Sequence, residues 1–273
     1  MEHPADPGGQ MPGVPLVGTY SGRLLLAFVI YIAWMAETLL LGNGISHAPA
    51  AGPRDWVVPV IVVGIFIGCI VSSLFLKTSM ARGMVSPGQA GLDPGKKTIP
   101  ALIITGISGG IALAVVPFLN IIVPDPFRTF LFLFPLAAGE VMICWALLAT
   151  HIESALLLAR GGPAALAGFL AAALASSFPY LSGALLSGGY TFSLLVIFAG
   201  LITGFVFLAF RDIYATLLAR LILLMILAGV SGMTAWEGIP LLYSIPLAIV
   251  AGGILLVAGA ALSRKFGDMQ QAP

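Results

Sequence analysis

A chain of 273 residues that is 59% hydrophobic and 8% charged, with a mean hydropathy of +1.08, is no soluble domain, because about a quarter of a soluble domain's residues carry charge. Its net charge of +1 offers no basic surface for nucleic acid. Two isolated cysteines, Cys69 and Cys144, with no CxxC and no Cys/His cluster, exclude a structural zinc site and thioredoxin-like chemistry.

The expected fold class is therefore all-α: a polytopic integral membrane helix bundle of about eight transmembrane helices, both termini cytoplasmic. Residues 1–22, "MEHPADPGGQMPGVPLVGTYSG", are rich in Pro and Gly and lack the basic stretch and apolar core of a signal peptide. They read as a flexible tail before a retained first span. At about 20 apolar residues per crossing, spans are expected near 24–45, 56–76, 99–123, 129–150, 164–187, 190–210, 213–235 and 239–262. Turn chemistry separates them: "HAPAAGPRD", "SPGQAGLDPGKK", "VPDPFR", "RGGP", "SGG", "RD" and "EGIP". No charge divides the fifth span from the sixth, which leaves seven spans as the competing count. Residues 23–263 form one transmembrane domain, and 264–273 a cytoplasmic tail.

Lysine and arginine bias sets the orientation. Lys77, Arg82, Lys96 and Lys97 place the loop after span two inside. Alternation then puts Arg23, Arg160, Arg211, Arg264 and Lys265 on the same side, leaving Arg54 and Arg128 outside. Small residues such as Gly200 and Gly204 in "GLITG" read first as close helix packing, with self-association the weaker use of the pattern. "GVSG" at 229–232 looks like the rhomboid nucleophile motif, but no histidine follows Ser231, so that chemistry is excluded.

Ionisable groups at membrane depth cost about 2.5–3.5 kcal/mol on insertion scales and mark candidate sites. Three stand out: Glu37 in span one, Glu140 in span four and Arg220 in span seven. At 1.5 Å per residue, Glu140 lies about 16–18 Å in, near the midplane, and Arg220 about 10 Å from the cytoplasmic edge. Arg220 can snorkel to that edge or reach inward to Glu140, where an ion pair lowers the cost of burying both. Glu37 lies nearer the outer leaflet. Glu140, Cys144, Leu147 and His151 share one face of an α-helix, a polar stripe that Leu147 breaks. His151 and Glu153 are expected at or beyond the cytoplasmic interface, satisfied by water. Accordingly Glu140→Gln should alter function with little loss of fold, and Glu153→Gln should do nothing.

Residues 139–225 carry three segments, "EVMICW", "RGGPAALAGFLAAALASSFPYLS" and "AGLITGFVFLAFRDIYATLLARLILLM", whose layout resembles the core of the CAAX-protease and bacteriocin-processing (CPBP) intramembrane proteases. That family carries Glu-Glu-x-x-Phe/Tyr-Arg, then Phe-x-x-x-His, then His-x-x-x-Asn/Asp. Glu140 and Phe178 match it. Val141 replaces the second Glu, Cys144 and Trp145 the aromatic and Arg, Ser182 the first His, and Arg220 and Leu224 the last pair. The resemblance implies a protease relative with Glu140 as its surviving catalytic carboxylate, and without the histidines its metal-and-water site cannot assemble.

No cofactor is expected. His3, His47 and His151 do not pair across spans for haem, no lysine is membrane-buried for retinal, and the aspartates form no Asp-rich motif. The residues favour a non-enzymatic multi-pass protein of the cell membrane: a transporter, a channel or the membrane subunit of a larger complex. Its partners would be the lipid bilayer and other membrane subunits. Glu140 would be its proton or cation site, Arg220 the counter-charge and Glu37 a second station. Pro117, Pro135, Pro179 and Pro246 would kink spans and free carbonyls along a path.

Overall fold

The computed structural model describes residues 16–46, 57–93, 97–123, 125–160, 163–186, 190–231 and 241–267. The described residues are mostly helical and contain no strand, and eight of their helices are long and apolar enough to cross a membrane. In chain order these are α1 (Leu16–Ser46), α2 (Val57–Met80), α3 (Thr98–Val115), α4 (Pro126–Leu157), α5 (Ala164–Leu186), α6 (Tyr190–Phe210), α7 (Ile213–Ser231) and α8 (Leu241–Gly267). The fifth and sixth spans are separate helices, so the seven-span count falls.

α4 is the axis of the bundle and the most enclosed of the eight, packing on α1, α2, α5, α7 and α8. Asp125 starts it by accepting from the Arg128 N–H, with Pro126 at the first helical position, where no N–H is needed. Beyond Glu140 the hydrogen bonding widens to a π-helix over Val141–Ala149, every residue of which is buried, before α-helix resumes at Thr150. α2 carries a second π-helical stretch over Val60–Val71. The two helices cross on glycines. A Cβ on Gly64 would stand 2.7 Å from the Pro135 carbonyl oxygen, and one on Gly139 would stand 2.6 Å from that of Gly64. Small residues bring the backbones this close where lipid supplies no hydrophobic drive for association. Gly200 and Gly204 likewise fit within the chain, against Ser177 and Ala173 of α5 and against Trp145 and Phe169, so packing is their use here.

The periphery is apolar outward: Leu25, Val29, Ile107, Ile111, Leu256 and Val257 are all exposed. In a bundle this apolar, that surface faces acyl chains.

Several boundaries differ from those expected on sequence. α1 begins at Leu16, inside the expected tail, and α8 runs through Arg264 and Lys265 to Gly267, inside the other. Residues 1–15 and 268–273 lie outside the described residues, as do the turns at 47–56, 187–189 and 232–240, which hold Arg54 and "EGIP". Lys77 belongs to the last turn of α2. The stretch from 81 to 93 is not a plain turn, because Met84, Val85, Ala90 and Leu92 are buried in it. Ser86 and Gln89 exchange backbone-to-side-chain bonds there, and the Gly91 carbonyl accepts from Ile213 N–H at 3.0 Å. Gly91 sits at φ 67°, and a Cβ would press on the Phe207 ring at 3.1 Å, so both conformation and space call for glycine. Next to it, buried Asp212 caps α7 by accepting from Ala215 N–H at 2.8 Å and also accepts from the Thr98 hydroxyl.

Candidate functional site

Glu140 ends the first α-helical part of α4, and Arg220 lies seven residues into α7. The two side chains meet: Arg220 Nη2 stands 2.6 Å from Glu140 Oε1, and neither residue has any exposed surface. The contact is a charge contact rather than an aligned hydrogen bond, since Oε1 has no aligned donor among the described residues. Of the two courses open to Arg220, the inward one is taken. Snorkelling would have left Glu140 uncompensated, and effective burial penalties run to several kcal/mol per ion.

α5 completes the surround. Tyr180 donates its hydroxyl to Glu140 Oε2 at 3.1 Å, and its ring faces the Arg220 guanidinium at 5.3 Å. Arg220 Nη2 also donates to the Ser176 carbonyl at 3.2 Å. That carbonyl lies next to a break in the helix. Pro179 has no N–H, so the carbonyl four residues earlier, Ala175, loses its helical partner. Tyr31 of α1 supplies the replacement, donating its hydroxyl to the Ala175 oxygen at 3.0 Å. The carbonyl freed by Pro179 is thus satisfied from a neighbouring helix. Nothing in the sequence singles out Tyr31, Ser176 or Tyr180. Pro179 is the only visible signal, because a proline shows which carbonyl is freed and not what answers it.

Arg220 Nε and Nη1, both buried, find no hydrogen-bond partner among the described residues. A guanidinium has five donors in a rigid fork, so this one is held by its counter-charge but not saturated. Cys144, one turn along α4, lies within electrostatic reach of both charged groups and is itself fully buried.

The stripe expected on α4 does not continue. Its last two positions presume α-helical periodicity, and the π-helix over Val141–Ala149 rotates them away from Glu140. His151 belongs to a different cluster, and protein groups rather than water satisfy it. Its Nδ1 is 2.7 Å from the Leu147 carbonyl and its Nε2 is 2.9 Å from Ser79 Oγ of α2. A carbonyl only accepts, so Nδ1 carries the proton. Glu153 is corrected in the same way: Arg211 grips it with two bonds, at 2.6 and 3.1 Å, and also donates to the Gln89 carbonyl. Two ion pairs therefore tie α4 to α7 and its entry, Glu140–Arg220 at depth and Glu153–Arg211 at the end. Glu37, half-buried on α1, takes no part in either pair among the described residues.

The metal that the protease resemblance implies does not fit. Among the described residues no three His, Cys, Asp or Glu side chains converge. The group facing the Glu140 carboxylate is itself a cation, so the site offers no net negative charge to a metal. The chain matches no protein-family model, no curated protein and no solved structure.

Proposed function

We propose that this multi-pass protein is a transporter, or the membrane subunit of a larger complex, of the cell membrane, with both termini cytoplasmic and Glu140 as its protonatable station. The observation that carries this reading is the sealed Glu140–Arg220 pair, with two guanidinium nitrogens that have no hydrogen-bond partner among the described residues. Buried ionisable groups in membrane spans are expensive and mark ion and proton pathways. Arg220 already neutralises the carboxylate, so a proton is a better guest than a metal cation. Protonating Glu140 removes the charge that holds Arg220, and the guanidinium must then take another partner or move. The π-helix that starts beside Glu140 supports the reading, since such departures from α-geometry recur at functional sites. Glu37 is the candidate second station on α1.

Proteoliposomes of the purified chain with an entrapped pH-sensitive dye test it. Under an inside-negative potential the wild type should acidify the lumen. The charge-balanced double variant Glu140→Leu/Arg220→Met should not. Equal acidification by both would remove Glu140 from the pathway. A stoichiometric membrane partner in mild-detergent purification would assign the subunit role.

A second reading, a non-catalytic relative of the CPBP proteases, is favoured by one specific convergence. Arg220, in the place of that family's second histidine, meets Glu140, in the place of its first glutamate. No proton movement in the proteoliposomes, with no metal bound to the purified protein, would turn the choice toward it.

A further inference from the structure

Away from the ion pairs, an open groove of about 620 Å³ runs between α1 and the second half of α2, within the range of about 300–1,000 Å³ typical of small-molecule sites. On α1, Arg23, Leu26 and Ile30 recur at the spacing of one helical face. On α2, Val71, Leu74 and Phe75 supply the apolar wall, and Thr78, with Arg82 in the turn just past the helix, closes the same end that Arg23 closes. The groove is thus apolar along its length and doubly cationic at one end.

Arg23 is held there. Its Nη1 donates to Thr78 Oγ1 at 2.7 Å, and its guanidinium carbon stands 5.1 Å over the Phe75 ring. The Thr78 hydroxyl in turn donates to the Phe75 carbonyl at 2.8 Å, so its own proton is committed. The guanidinium is oriented while its remaining donors stay available. Arg82 lies within electrostatic reach of Arg23, and among the described residues no carboxylate pairs with either. Two like charges side by side without a counter-charge repel, and a bound anion relieves that repulsion.

We infer that this groove is a binding site for an anionic phospholipid, with the phosphate between Arg23 and Arg82 and an acyl chain along Leu26, Ile30 and Leu74. Charge complementarity selects this occupant. A zwitterionic lipid brings its own cation to the arginines, and a free phosphate leaves the apolar wall unused. The lysine and arginine count assigns this end to the cytoplasmic side, where basic pockets between spans take anionic headgroups. The inference is independent of the Glu140 reading.

The test is thermal unfolding of the full chain in neutral detergent, titrated with phosphatidylglycerol, phosphatidylcholine or inorganic phosphate. Phosphatidylglycerol alone should raise Tm. Arg23→Gln/Arg82→Gln should weaken that response about tenfold or more, while Arg264→Gln/Lys265→Gln, which removes two exposed cations from α8, should retain it. Should the arginine variant fail to fold, Leu74→Trp obstructs the groove with both arginines in place and should weaken the response alike. Equal stabilisation by phosphatidylcholine or by phosphate, or an undiminished phosphatidylglycerol response in the groove variants, overturns the site.

Discussion

The carboxylate of Glu140 and the guanidinium of Arg220 meet 2.6 Å apart with both residues sealed from the surface. Each is costly alone, and the pair is tolerable because the charges cancel where no water can screen them. Glu140→Gln should therefore damage the fold as well as function, contrary to the expectation from sequence. Stranding Arg220 costs about 3–5 kcal/mol, whereas Glu140→Leu/Arg220→Met should recover most of that loss. Unfolding of the three proteins in detergent compares them directly. A single variant as stable as wild type would show that Arg220 escapes to water.

Glu153→Gln should not be silent. It halves a two-bond grip on Arg211, whose side chain remains 27% exposed against 12% for Glu153. The loss should be about 1 kcal/mol, the upper end for partly exposed pairs. It should shrink at high salt, because this end of the helix is reached by solvent. Tm at two ionic strengths reads both effects.

The crossing of α2 on α4 makes a sharper steric prediction. A Cβ at Gly68 would run into the Gly139 Cα, backbone that cannot yield, whereas nothing lies within 4 Å of one at Gly110. Gly68→Ala should destabilise by about 1–3 kcal/mol. Gly110→Ala should be neutral or gain up to about 1 kcal/mol from helix propensity. Matching Tm changes for the two would mean that the helices do not cross on those glycines.

Tyr31→Phe should cost about 1–3 kcal/mol, because the Ala175 carbonyl is left buried without a donor. In a Pro179→Ala background the same substitution should cost much less, since the restored N–H at 179 can bond that carbonyl. A double-mutant cycle measures the difference. Additive effects would detach the tyrosine from the proline.

Sequence alone determined the apolar, helical class and the eight helices long and apolar enough to cross a membrane. These rest on local composition and the 1.5 Å rise, which hold whatever the helices pack against. It could not say that Arg220 turns inward, that Tyr180 and Tyr31 answer Glu140 and Ala175, or that His151 and Glu153 have protein partners. A π-helix over Val141–Ala149 has no composition of its own, yet it rotates every residue after Cys144 off the expected stripe. Those outcomes belong to tertiary structure, because the partner of a buried polar group is chosen by whichever helix lies beside it, and neighbours in a bundle come from distant sequence. Tyr31 and Ala175 are 144 residues apart, yet they are joined by one hydrogen bond.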